Sequence, residues 1–197
     1  MLRYNAAMAQ DQTLTFKDGR TMPKLWLLSD ARNDAWLADS LKALPRGSGF
    51  VFRHYHLSDI DRRKRFDSLA ALARRYGHIV ILSDSPVATR KWGADGLYGP
   101  AEKMPRDDAL IKLATAHNAK EIIAADRAGA DAIVLSPVFP TRSHPDTQVL
   151  GPVRFRMLTR KTETPVIALG GMTPLTARRL GWPNWAAIDG LVSTQDS

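Results

Sequence analysis

Residues 134–151, V-L-S-P-V-F-P-T-R-S-H-P-D-T-Q-V-L-G, pass from an apolar run through Pro137 and Pro140 into a polar segment with Thr141, Arg142, Ser143 and His144. Two hydroxyls, a guanidinium and an imidazole directly after a buried strand could hold an anion, although an ordinary surface loop has the same composition. Three more places share this pattern of chemistry after an apolar run. Ser83 and Asp84 follow I-V-I-L, Gly170 and Gly171 follow P-V-I-A-L, and Thr115 and His117 close the run that begins at Ala109. A carboxylate after four buried positions could bind a cation. A glycine pair can leave backbone N–H groups open to a phosphate at a helix start, or simply form a turn. A histidine can exchange a proton near neutral pH, or serve as a structural hydrogen bonder.

The elements that would position these groups alternate along the chain. The run K-L-W-L-L-S-D at 24–30 fits a buried strand, and residues 31–44 carry leucines at three- and four-residue spacing as in a helix. The next run, F-V-F-R-H-Y-H, alternates so that Val51, Arg53 and Tyr55 share one face and Phe50, Phe52, His54 and His56 the other. Ser58 or Asp59 then caps a basic helix whose run Arg62-Arg63-Lys64-Arg65 reads as a solvated face. Asn118 and Glu121 have capping-box spacing for a helix over 118–128, and a further helix is expected over 173–180. A small repeat recurs at 92–97, 128–133 and 185–191, each copy combining small residues and an Asp before an apolar strand, which marks helix-to-strand turns. Those aspartates are expected to form turns rather than to catalyse.

Strands are thus expected near Leu25, Val51, Ile81, Leu97, Leu113, Val134, Ile167 and Leu191. Eight alternating units predict an α/β protein with a compact (β/α)8 TIM barrel whose last helix is short or missing. An open doubly wound sheet is the structural alternative, because periodicity does not show closure. The expected organisation is an N-terminal arm over 1–23 and a single barrel domain over 24–197. Closure would gather Asp30, Arg53, Ser83, Asp84, Thr115, His117, Thr141, Ser143, His144, Gly170, Gly171 and Ser193 around one mouth.

With 197 residues, 44% of them hydrophobic, the chain is long enough for one sizeable core. It has no cysteine, which excludes disulfides, thiolate metal sites and a cysteine nucleophile. No stretch has the roughly 18 uninterrupted apolar residues of a membrane helix, and a cytoplasmic protein is expected. The 28 basic and 20 acidic residues give a net charge of +8, which could favour nucleic acid, a membrane surface or phosphorylated small molecules. Nucleic acid is not the expected partner, because no RNA motif or zinc-finger spacing accompanies the basic residues. A missing last helix leaves room for a homo-oligomer contact.

The segments L-W-L-L-S-D, G-F-V-F-R, L-S-D, W-G-A-D-G-L-Y, A-T-A-H-N, S-P-V-F-P-T-R-S, V-I-A-L-G-G-M and I-D-G-L-V-S run in order across residues 24–193. In order and spacing they resemble the thiamine phosphate synthase and TenI (thiazole tautomerase) family. The resemblance implies a barrel that binds a thiazole phosphate at Gly170 and Gly171. In the synthase branch, that thiazole is joined to a pyrimidine pyrophosphate with loss of pyrophosphate. It further implies that Arg53 is the surviving residue of a Gln-Leu-Arg-Glu-Lys strand, and that Ser83-Asp84 stands for an Asn-Asp pair whose carboxylate binds Mg²⁺. A second metal-binding Asp falls on Lys103, beside Glu102. Thr141 matches, Ser143 stands for a threonine and His144 for a lysine, while His117 matches the acid/base histidine of the tautomerase branch.

The primary expectation is a transferase of thiamine biosynthesis in which Arg53, Thr141, Ser143 and Mg²⁺ on Asp84 stabilise departing pyrophosphate, and Ser83, Thr115, His144 and Ser193 bind substrate. A metal-free tautomerase using His117 is the second reading. A non-catalytic binder of phosphorylated ligands or nucleic acid is the third.

Overall fold

The computed structural model describes residues 14–16, 19–106, 108–141, 148–189 and 191. Eight strands form a closed parallel barrel in sequence order: β1 (Leu25–Leu28), β2 (Gly49–Phe52), β3 (Ile79–Leu82), β4 (Gly96–Pro100), β5 (Ile111–Ala116), β6 (Ala132–Leu135), β7 (Val166–Ala168) and β8 (Trp185–Ala187). Closure is made by β1 against β8, with Leu25 opposite Trp185 and Leu27 opposite Ala187. The expected TIM barrel is therefore the observed fold, and the open sheet is not.

Strands covered on both sides read as continuous apolar runs, because alternate side chains enter two different cores. Trp26, Leu28, Val51, Ile81, Leu113, Val134 and Ile167 fill the barrel. Leu27, Phe50, Phe52, Val80 and Leu82 face outward against α1 (Leu37–Ala43) and α2 (Asp59–Arg75). Ala114, Ile133, Leu135 and Ala168 do the same against α4 (Ala119–Arg127), α5 (Gly151–Thr159) and α6 (Pro174–Leu180). The remaining helix, α3 (Pro86–Trp92), begins with Ser85 accepting from the Ala88 N–H and ends at Gly93 in the left-handed conformation. A short 3-10 helix, Ala31–Trp36, precedes α1, and another, Ala101–Lys103, follows β4. Glycine at 49 is required by packing: a Cβ there would lie 2.0 Å from the Trp26 ring.

Part of the expected N-terminal arm falls outside the described residues. Of the described part, Thr15 bridges Thr21, and Phe16 and Met22 are buried in the cluster that fills the barrel. This segment lies at the amino ends of the strands, where Arg20 pairs with Asp95 at 2.9 Å.

The eighth strand differs from the expected position near Leu191: it begins at Trp185, directly after Asn184, and ends at Ala187. The first two copies of the Asp repeat do form helix-to-strand turns. Asp95 Oδ2 accepts from the Val80 N–H, and Asp131 Oδ2 from the Lys112 N–H, each at 2.8 Å, tying one strand start to its neighbour. In the third copy the small residues are the strand itself, so Asp189 lies at its carboxyl end and pairs with Arg32 at 3.1 Å. Two alanines and a tryptophan fit a narrow barrel wall as well as they fit a turn. Among the described residues no helix follows β8.

Candidate active site

The carboxyl ends of the strands meet at one mouth, and its first half is organised by Arg53. Beyond β2, the Arg53 N–H donates to Ser29 Oγ at 2.7 Å, and its guanidinium pairs with Asp30 Oδ2 at 3.0 Å. Arg53 Nε is buried and makes no hydrogen bond among the described residues. Burial works against ionisation of Asp30. Hydrogen bonds from Arg32, with the charges of Arg32 and Arg53, outweigh it and hold the carboxyl below its ordinary value of 3.8.

Behind Arg53 lies a buried relay. His54 has a positive φ of 43°, which costs a non-glycine residue energy unless its surroundings hold it there. Both ring nitrogens are engaged: Nδ1 with Ser29 Oγ and Nε2 with Asp34 Oδ1, each at 2.7 Å. The ionised Asp34 carboxylate only accepts, so Nε2 carries the proton and donates to it, and in the neutral ring Nδ1 accepts from the Ser29 hydroxyl. Ser29 and His54 are both buried, so this serine-histidine-aspartate chain is a support for Arg53 rather than a nucleophile.

Arg62 on α2 supplies the second support. The solvated face expected for 62–65 is wrong for this residue, which is buried: Nε donates to the Arg53 carbonyl at 2.8 Å, Nη2 to the Ser83 carbonyl at 2.9 Å and Nη1 to Asp84 Oδ2. Arg65 likewise turns to Asp34, at 2.8 Å, whereas Arg63 stays at the surface against Asp67. The signal was present in the spacing. Arg62 precedes Phe66 by four residues and Leu69 by seven, which places it on the core-facing stripe.

A cavity of about 340 Å³ opens between the ends of β2, β3, β4 and β5, lined by Tyr55, Ser83, Asp84, Tyr98, Lys103 and Thr115 among others. Ser83 Oγ donates to the Tyr98 carbonyl at 3.1 Å, so the Tyr55 hydroxyl donates to Ser83. Burial pushes the Tyr98 phenol up to about 12, against a smaller opposing effect of Arg53, which keeps it a neutral donor. Tyr55, Tyr98 and Arg62 were not among the expected site residues. Tyr55 lies in the turn beyond β2, past the residue with positive φ, so strand alternation does not reach it and its hydroxyl arrives at Ser83 through the turn.

The other half of the mouth is built by β5, β6 and β7. His117 Nδ1 donates to the Ser136 carbonyl at 2.7 Å, which makes Nε2 the unprotonated nitrogen of the neutral ring; among the described residues it carries no hydrogen bond. Asn118 caps α4, and Glu121 accepts from the His117 N–H at 2.8 Å, so the start of the helix orients the imidazole. The loops after β6 and β7 are stitched together by Val138 N–H to the Leu169 carbonyl and Phe139 N–H to the Gly170 carbonyl. Both glycines are needed for this approach. Gly170 and Gly171 have φ of 94° and 61°, and a Cβ would come within 2.7 Å of Pro137 and 2.5 Å of the Pro140 oxygen. Thr141, next in sequence to Pro140, is half-buried. Ser143, His144 and Ser193 lie outside the described residues.

The family model for thiamine monophosphate synthase matches residues 27–184, all but the edges of this barrel. The chain belongs to the thiamine monophosphate synthase family. Its relatives in the family include the thiamine-phosphate synthase of Pyrococcus furiosus, 25% identical over 189 residues, with 90% of each chain covered. Another is the thiamine-phosphate synthase of Geobacillus kaustophilus, 28% identical over 167 residues, covering 78% of this chain and 75% of that one. The solved structure of the thiamine phosphate pyrophosphorylase from Pyrococcus furiosus superposes with a TM-score of 0.70 at 26% identity, covering 84% of this chain and 85% of that one.

Family membership raises the question of Mg²⁺, expected on Asp84. Magnesium in phosphate sites takes one or two carboxylates, several waters and phosphate oxygens. Asp84 Oδ2 is held by Arg62, and Oδ1 accepts from the Ser85 N–H at 2.6 Å. Burial disfavours its charge, yet the bonds from Arg62 and Ser85 more than compensate and lower its pKa. Lys103, a cation, lines the same cavity, and Asp84 is the one carboxylate in its wall among the described residues. This donor set does not fit the ion.

Proposed function

We propose that the protein is a transferase that joins hydroxymethylpyrimidine pyrophosphate to a thiazole phosphate, releasing pyrophosphate. The observation that carries this reading is the division of the mouth into two anion-seeking regions. One is the polar cavity between β2 and β5, with Arg53 beside it. The other is the paired-glycine turn after β7, packed on the loop after β6, where the Gly170 and Gly171 N–H groups make no hydrogen bond among the described residues. A reaction with two phosphorylated substrates needs two such regions within reach of one another, and the names of the relatives agree with it.

In this reading, the thiazole phosphate rests on the glycine turn with Thr141, and the pyrophosphate lies in the cavity. The thiazole nitrogen lone pair forms the new bond to the pyrimidine methylene carbon. The carbon–oxygen bond breaks with its electron pair leaving on pyrophosphate, and no protein proton is consumed. Arg53, held by Asp30 and Ser29, is aimed at the charge that develops on the leaving group, with Ser83, Tyr55 and Thr115 supplying hydroxyls around it. Such prearranged donors act in the transition state without reorganising, which is why they accelerate charge-separating steps. Ser143, His144 and Ser193 are assigned to substrate binding by family resemblance.

Purified protein given both substrates should form thiamine phosphate and release pyrophosphate one for one. Absence of pyrophosphate in both the presence and the absence of divalent cations would rule the transferase out. The orientation of His117 supports a second reading, tautomerisation of the thiazole. In that case His117→Ala abolishes interconversion of the thiazole tautomers while Asp84→Ala leaves it nearly unchanged.

A further inference from the structure

We infer that the cavity between β2 and β5 binds the pyrophosphate group without a metal ion, with the Lys103 ammonium occupying the place of a divalent cation. This rests on the transferase reading for the identity of the ligand, but the charge arrangement stands by itself. The carboxylate that lines the cavity, Asp84, is already neutralised by a buried arginine. Arg62 cannot turn away from it without stranding the Ser83 and Arg53 carbonyls that it also satisfies. A divalent cation would therefore meet a carboxylate with both oxygens engaged, and a lysine on the wall of the same cavity.

An anion meets the opposite situation. Lys103 ends the short helix after β4, its stem running over Gly99, where a Cβ would lie 3.7 Å from Lys103 Cδ. Lys103 forms no ion pair among the described residues, whereas Arg53 and Arg62 are each paired with an aspartate. The charge of the cavity that is not cancelled internally is thus positive and sits on a flexible stem. A lysine ammonium is a compact point charge with three donors, able to follow a pyrophosphate as negative charge grows on the leaving oxygen. In place of a metal, the cavity wall offers the Lys103 ammonium and the hydroxyl of Thr115.

The test is titration calorimetry of the full chain with sodium pyrophosphate in EDTA and again with excess Mg²⁺. Binding should be measurable in EDTA and change less than threefold with Mg²⁺. Lys103→Met should weaken it at least tenfold, and Lys103→Arg should hold it within threefold. Lys103 is exposed, so unchanged melting of each variant separates lost binding from lost fold. Binding that appears only with Mg²⁺, or Lys103→Met binding like the parent, overturns the inference. Pyrophosphate release from the two substrates, assayed under the same two conditions, separates it from the transferase reading. Strictly Mg²⁺-dependent release refutes the metal-free site and leaves the transferase intact. Metal-free binding with no release under either condition upholds the anion site and refutes the transferase.

Discussion

Arg62, carried by α2, donates to Asp84 at the end of β3 and in the same reach satisfies the carbonyls of Ser83 and Arg53. One side chain thereby joins the ends of two barrel strands at the site. Arg62→Met keeps the packing of the stem but leaves a carboxylate and two carbonyls without their donor. Breaking a buried pair costs roughly 3–5 kcal/mol; Asp84 is partly solvated, so about 2 kcal/mol is expected here. Urea unfolding should show the loss as a lower midpoint with unchanged slope, and a midpoint equal to the parent's would refute the role.

Gly171 should tolerate no side chain. Gly171→Ala places a Cβ 2.5 Å from the Pro140 oxygen at a φ of 61°, so the loops after β6 and β7 must separate. The expected cost is on the order of 1–3 kcal/mol in stability. The Michaelis constant for thiazole phosphate should rise more than that for the pyrimidine substrate. Equal effects on the two would detach the glycine turn from thiazole binding.

Burial lowers the His54 pKa below its ordinary 6.5, more than the Asp34 carboxylate raises it. The unfolded chain therefore binds a proton near pH 6.5 that the folded protein refuses until a lower pH. This contribution to stability is complete above about pH 6.5 and is lost as the pH falls through the folded pKa. Asp30, Asp34 and Asp84 are all held below 3.8, so their contribution is present above that pH and disappears only in stronger acid. Urea midpoints measured from pH 8 to pH 5 should decline below 6.5, and His54→Gln should flatten that decline. An equally steep decline in the variant would place the proton elsewhere.

Asp95 acts at the opposite end of the barrel. Its carboxylate accepts from the Val80 N–H and pairs with Arg20. Asp95→Ala leaves a backbone donor of a buried strand unsatisfied, at a cost of about 1–3 kcal/mol. Turnover at a temperature well below melting should remain within twofold of the parent. A large loss of turnover in a fully folded variant would mean that the amino end of the barrel communicates with the mouth.

Much of the fold could be read in the chain because buried parallel strands leave an unambiguous trace. I-V-I-L, F-V-F and V-I-A each supply residues to both the inner and the outer core. The trace failed at β8, where Trp185, Ala186 and Ala187 are too few and too small to separate a strand from a turn, and the stronger apolar signal of Leu191 lay four residues on. At the site, Arg53, Asp84 and His117 were legible because each directly follows an apolar run. Arg62 was not: a run of four cations looks solvated, and its inward turn depends on acceptors contributed by two other strands.

The sequence by itself determined which residues stand at the carboxyl ends of strands, since periodicity of two or of three to four residues is a local property of the backbone. Only the tertiary structure decided how their charges are spent. Asp84 became the partner of Arg62, His54 the support of Arg53, and Lys103 a cation without a counter-ion among the described residues. Charge compensation depends on through-space distances between elements far apart in the chain, and closure of the barrel sets those distances.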